Sequence, residues 1–179
     1  MDIFRRSRSK SEYIRLFLIG AFPVHIWAIV NLLHTFPSLL LEMNTLELVS
    51  ILAYVLTFAL FESLFVFALL FLVTWFFPRK ISTSTLLAVS AILVLFGSTG
   101  VTLVHLYGIW KITVFKFESW VILWAAIGMV AASLGIFLVA RKPKVEKSIL
   151  SIVERLSMLS ILYVSLDLVG VVIVVIRNL

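Results

Sequence analysis

Five long apolar runs, separated by short stretches that hold nearly all of the charge, constrain the fold more than any other feature of this chain. Each run is long enough to cross a hydrocarbon core of about 30 Å as a helix, which satisfies its own backbone hydrogen bonds there. The sequence therefore predicts an all-α, multi-pass integral membrane helix bundle in the cell membrane. Residues 1–179 form one transmembrane domain in this prediction, and its five spans cover residues 14–34, 48–77, 86–110, 120–140 and 156–176.

Composition agrees with a bilayer environment. Hydrophobic residues make up 63% of the chain and charged residues 13%, whereas soluble domains have roughly 45–50% apolar residues. The net charge of +6 could indicate a nucleic-acid partner in a soluble protein, but here the cations lie between the apolar runs, so we expect no nucleic acid. The chain has no cysteine, which excludes disulfides, thiolate nucleophiles and cysteine-based metal sites and leaves the redox compartment unassigned.

The distribution of Lys and Arg predicts the orientation of the bundle. Five lie in the N-terminal segment through Arg15, two at Arg79 and Lys80, and five in the stretch 141–155, which places twelve on one side. The other side has three: Lys111, Lys116 and Arg177. Because cytoplasmic loops carry the excess of Lys and Arg, the N-terminus is predicted to be cytoplasmic and the C-terminus outside. The first run is expected to stay in the protein as a signal anchor, since no small-residue cleavage site follows it.

Three ionisable residues, His25, Glu62 and Asp167, lie near the middle of the first, second and fifth runs. A charge at that depth costs at least ~2.5–3.5 kcal/mol on insertion scales, so such residues need polar partners. If the three helices are neighbours, these side chains predict a midplane polar cluster that could serve as a proton, ion or substrate site. The alternative is that the acids are neutral or locally satisfied and only hold helices together through hydrogen bonds.

The other two histidines suggest a different interpretation. His34 and His105 lie about 15 Å and about 10 Å from the midpoints of their runs, both toward the outer face. Two histidines in one leaflet could be the axial ligands of a b-type haem. Their positions equally suit residues at the membrane interface, so no cofactor or metal is the default expectation and haem b is the alternative.

Two helix faces have a pattern typical of helix packing. The fourth run has a small-residue stripe, which consists of Ala125, Gly128, Ala132 and Gly135 at steps of three, four and three. Such a stripe packs within a bundle or joins two copies of the chain through the fourth helix. The fifth run places Ser157, Ser160, Val164 and Asp167 on a single face by the same spacing. The basic stretch 141–155 before it is predicted to begin a helix at the membrane surface.

No motif for a known catalytic chemistry occurs in the sequence, which lacks a Walker loop, a G-x-S-x-G elbow and an H-E-x-x-H pair. We therefore predict a non-enzymatic membrane protein that acts as an accessory or scaffold subunit, with the bilayer and other membrane subunits as its partners. Two alternatives stay open: a small proton- or cation-coupled transporter or channel using the midplane cluster, and a haem-binding electron-transfer subunit.

Overall fold

The structure, a computed structural model, describes residues 9–75, 77, 81–111 and 117–179; inside the helices, it leaves out the side chains of residues 103–111, 117–121, 124, 125 and 131. The described chain forms five helices and no strand, which confirms the all-helical prediction. The helices are α1 (Lys10–Glu42), α2 (Thr45–Trp75), α3 (Thr83–Lys111), α4 (Phe117–Arg141) and α5 (Pro143–Asn178).

Four helical stretches are long and apolar enough to cross a membrane: Lys10–Glu42, Thr45–Trp75, Thr83–Thr102 and Pro143–Asn178. The predicted fourth span corresponds to a shorter apolar stretch, Ala126–Arg141, within α4. The length and composition of the helices thus agree with a membrane protein.

Side chains of the linking residues set the starts of the first two helices. Ser9 and Glu12 form a capping box, in which the backbone N–H of each residue is bonded by the side chain of the other. Asn44 and Glu47 repeat the arrangement at α2, with distances of 2.9 and 3.0 Å. Because each box satisfies N–H groups that have no partner within the helix, α1 and α2 begin sharply at polar residues.

The first and fifth helices are longer than their predicted spans. Helix α1 continues past His34 through Pro37 to Glu42, and it also contains Pro23. Helix α5 has 36 residues and joins the basic stretch to the fifth apolar run without a break. Helix α5 therefore begins within the basic stretch, and the position of its start at the membrane surface stays a prediction.

The chain divides into two compact units, one of residues 1–78 and 154–179 and the other of residues 79–153. Helices α1 and α2 lie in the first unit and α3 and α4 in the second, while α5 contributes its N-terminal part to the second and the rest to the first. The single-domain organisation stays a prediction.

In the first unit, α1 runs antiparallel to α2 and parallel to α5. The rings of Phe17 and Phe67 lie 6.0 Å apart, and those of Tyr13 and Phe71 lie 6.1 Å apart, so the numbering rises on α1 as it falls on α2. Between α1 and α5, the numbering of the contacting residues instead rises on both helices together. Ser160 donates to the carbonyl of Leu18, and Asp167 bonds His25. Both helices advance by seven residues, or two turns, between these two bonds.

Glycines allow close helix approach in this unit. A Cβ added to Gly170 of α5 would lie 3.0 Å from the carbonyl oxygen of Ala53 and 3.1 Å from Cβ of Leu56 on α2. A Cβ added to Gly20 of α1 would lie 2.9 Å from Cγ1 of Val66. Small residues at helix interfaces permit this kind of backbone approach, so these glycines fix how tightly α2 packs against its neighbours.

The second unit has a small apolar core of Ala88 and Ile92 from α3 and Ala132 and Val139 from α4. The N-terminal part of α5 covers this core through Val145, Ile149 and Leu150. Ile149 and Leu150 belong to the basic stretch 141–155, and the structure packs both of them against this core. Glu146 of the same segment accepts a hydrogen bond of 3.2 Å from Oγ1 of Thr85, so one polar contact also ties α5 to the start of α3.

Candidate buried polar site

The first unit contains a buried pair of ionisable side chains that joins its first and last helices. Nε2 of His25 on α1 lies 2.8 Å from Oδ2 of Asp167 on α5, and their side chains are only 1% and 0% exposed. Both residues were singled out from their depth in the apolar runs, and the structure brings them together. Such burial is costly for an unpaired charge, so the contact between them is what makes either residue tolerable there.

The hydrogen bonds of His25 determine how many protons the pair holds. Nδ1 lies 2.7 Å from the carbonyl oxygen of Ala21, and a carbonyl only accepts, so Nδ1 must carry a proton. One further proton must lie between Nε2 and the carboxyl group of Asp167, because two acceptors cannot bond each other. The pair thus holds two protons as either imidazolium and carboxylate or imidazole and carboxylic acid, and it is neutral overall in both forms.

One oxygen of the pair has no hydrogen-bond partner among the described residues. Oδ1 of Asp167 is buried and makes no hydrogen bond with the described residues, while the other oxygen is bonded to His25. Buried polar atoms in native structures nearly always have a partner, which can be an ordered water. The unbonded oxygen is therefore the position in this site where a water or other donor would be held.

Two neighbours on α5 fix the geometry of the pair. The ring of Tyr163 stacks on the imidazole of His25, with centroids 5.4 Å apart and planes 5° apart. Ser160, two turns before Asp167, is fully buried and donates to the carbonyl of Leu18 at 2.9 Å. The serine had been placed on the same face as Asp167 from its spacing. The role of Tyr163 was missed, and spacing on α5 could have suggested it, since Tyr163 lies one turn before Asp167.

Glu62, the third member of the predicted cluster, is not part of this site. Glu62 is exposed on α2. The adjacent Ser63 is fully buried and donates to the carbonyl of Ala59 at 2.7 Å. Successive residues of a helix are about 100° apart, so Ser63 and Glu62 point in different directions even though their depths match. Depth alone had grouped Glu62 with the pair, and the helix face corrects that grouping.

The histidines considered for haem are not described as a pair. His34 is exposed near the end of α1, and the side chain of His105 on α3 lies outside the described residues. Among the residues that the structure describes, no group of three or more His, Asp or Glu side chains is arranged to hold a metal ion. The haem interpretation stays a prediction.

Among the described residues, the small-residue stripe of α4 packs on α3 near the C-terminal end of the stripe. Ala132 is buried in the core of the second unit, and a Cβ added to Gly135 would lie 3.1 Å from two side-chain carbons of Ile92. A Cβ added to Gly128 would meet nothing within 4 Å, and the side chain of Ala125 lies outside the described residues. Gly128 therefore makes no close helix contact with the described residues, and the use of the stripe to join two copies stays a prediction.

No family model matches this sequence, and neither the curated proteins nor the solved structures include one that is detectably similar to it.

Proposed function

We propose that this protein is a five-span integral membrane protein that acts as a non-enzymatic subunit of a larger membrane assembly. Its N-terminus is cytoplasmic and its C-terminus outside. The observation that carries the assembly role is the exposed position of Glu62 near the middle of α2.

The parallel course of α1 and α5 supports five spans rather than four. If α1, α2 and α3 cross the membrane and α4 does not, α5 must run opposite to α1. If α4 also crosses, α5 must run in the same direction as α1. The paired contacts from Leu18 to Ser160 and from His25 to Asp167 have the second arrangement. The count of twelve Lys and Arg on one side and three on the other supports the cytoplasmic N-terminus.

Glu62 supports an assembly because a lone carboxyl group on the lipid-facing surface is unfavourable. The residue lies ~3 Å along the axis from the middle of α2, too deep for its short side chain to reach the headgroups. Acidic residues in spans almost always face protein or a water-filled cavity and are paired there. A second membrane protein that covers this face would remove the cost, and an accessory subunit is a protein that has such a partner.

Photo-crosslinking in native membranes tests the assembly role. A photoreactive residue in place of Phe65, one turn after Glu62, should give a discrete adduct larger than the 20.2 kDa chain. The same residue in place of Leu162, an exposed position on α5 that is 57% accessible, is the matched control and should give much less. If neither position gives a protein adduct and the chain migrates as a monomer in mild detergent, the assembly role is wrong.

A small proton-coupled transporter is the second candidate, and the unbonded Oδ1 of Asp167 favours it. A carboxyl group that shares protons with an imidazole and has one free oxygen is suited to bind and release a proton. In reconstituted vesicles, a transporter would show proton flux that Asp167→Asn abolishes while the protein stays folded. Flux that is absent from the wild-type protein, or unchanged in Asp167→Asn, would exclude this use of the pair.

A further inference from the structure

The exposed face of α2 that carries Glu62 also carries three phenylalanines around it. Phe58, Phe61 and Phe65 lie four residues before, one before and three after the carboxyl group, and they are 65%, 64% and 66% exposed. Positions three and four residues apart share a helix face, so the phenylalanines one turn to either side frame the carboxyl group. We call Phe58, Phe61, Glu62 and Phe65 the Glu62 face.

We propose that the Glu62 face binds a transmembrane helix of a different protein that carries a single lysine or arginine at the matching depth. The inference rests on the proposed role as a subunit and adds the chemistry of the partner. A buried cation and a buried carboxylate each cost several kcal/mol alone, whereas together they form a charge-assisted pair. The phenylalanines exclude lipid and water from this pair and offer aromatic faces to the cation.

A second copy of this chain does not supply the cation. The sequence has no Lys or Arg in residues 16–78, 81–110, 117–140 or 156–176, so every span lacks a basic residue near its middle. Two copies that meet through their Glu62 faces would instead place two carboxyl groups together, and three bulky phenylalanines from each copy would hold the backbones apart. Charge complementarity therefore points to a foreign helix.

A designed probe helix tests this without knowledge of the natural partner. The probe is a Leu/Ala transmembrane helix of about 20 residues with one central Lys, and the control probe has Leu at that position. The full-length protein is labelled at Leu179→Cys, in a chain without other cysteines. It is reconstituted with each probe in phosphatidylcholine vesicles, and energy transfer between the labelled protein and the probe measures binding. The Lys probe should bind about three- to tenfold more tightly than the Leu probe.

Three variants assign that preference to the carboxyl group. Glu62→Gln should abolish the preference and keep the melting temperature, since the residue is exposed. Glu154→Gln, the same change at an exposed position outside the predicted spans, should keep it. Glu62→Lys should transfer the preference to a probe with a central Glu.

Equal binding of the Lys and Leu probes to the wild-type protein would overturn the proposal. Energy transfer between two copies of the chain that depends on Glu62, without preference for the Lys probe, would also overturn it and identify a second copy as the occupant. A crosslink from position 65 that persists in Glu62→Gln, together with equal probe binding, would leave the subunit role standing and remove only the cationic partner.

Discussion

Nε2 of His25 and Oδ2 of Asp167 lie 2.8 Å apart although 142 residues separate them in the chain. The contact joins the first helix to the last one, and the imidazole is held by the carbonyl of Ala21 on its other side. Because Nδ1 donates its proton to this carbonyl, the hydrogen bond at Nε2 needs one further proton. Nε2 and the side chain that faces it must share that proton.

This requirement predicts that Asp167→Asn and Asp167→Leu differ in stability. The amide of Asn can donate to Nε2 of a neutral imidazole, so Asp167→Asn should melt close to the wild-type temperature in detergent. Asp167→Leu leaves Nε2 without a donor and should lower the free energy of unfolding by about 1–2 kcal/mol.

The double variant His25→Leu/Asp167→Leu should recover part of that loss, because replacing both partners removes the unsatisfied group. A double variant as unstable as the sum of the two single variants would show that the pair contributes through packing alone.

The predicted orientation can be checked by labelling single cysteines in intact cells, and the chain offers a background without native thiols. Lys144→Cys should be protected from a membrane-impermeant reagent, and Met43→Cys and Leu179→Cys should react, because the excess of Lys and Arg marks the cytoplasmic side. Labelling of position 144 from outside would contradict the orientation. Opposite accessibility of positions 43 and 179 would contradict the odd number of spans.

Gly135 and Gly128 on the same helix should respond differently to a large side chain. Gly135→Leu must displace Ile92, whose carbons lie 3.1 Å from the added Cβ, and should destabilise the protein by about 1–3 kcal/mol. Gly128→Leu meets nothing within 4 Å of its Cβ and should melt near the wild-type temperature. Ile92→Ala should partly rescue Gly135→Leu. If Gly128→Leu instead separates a dimer into monomers, the stripe joins two copies through α4.

Gly20→Ala and Gly170→Ala should differ in whether a second change rescues them. The Cβ of Gly20→Ala conflicts with the side chain of Val66, so Val66→Ala should restore much of the lost stability. The Cβ of Gly170→Ala also lies 3.0 Å from the backbone oxygen of Ala53, which no side-chain change removes. Leu56→Ala should therefore rescue Gly170→Ala poorly. Equal rescue in thermal melting would show that the helix backbones separate easily.

Hydropathy predicted five helices because every segment that crosses lipid must satisfy its own backbone hydrogen bonds. It could not show which helix faces meet. Depth placed His25 and Asp167 at one level, where a buried charge needs a partner, and the structure has these two side chains in contact. Glu62 satisfied the same criterion and lies on the exposed face of α2, and distinguishing it required the burial of Ser63 beside it.

Close helix approach was the least predictable part of the packing. Gly135 and Gly128 belong to one sequence stripe, yet of the two only Gly135 closely approaches a described side chain of α3. Gly20 and Gly170 lie in no such stripe and make closer contacts, since a single glycine is enough where two helices cross. The pairing of α1 with α5 was also not predictable, because periodicity within a run contains no information about a partner 142 residues away.

Because the first unit combines residues 1–78 with residues 154–179, it cannot be completed until α5 has been synthesised. During biosynthesis α1 and α2 are made well before α5, and His25 then lacks the carboxyl group of Asp167. A chain that stops before residue 167 leaves the imidazole of His25 without this partner. The order of the helices along the chain therefore makes the burial of His25 one of the last steps in the formation of the first unit.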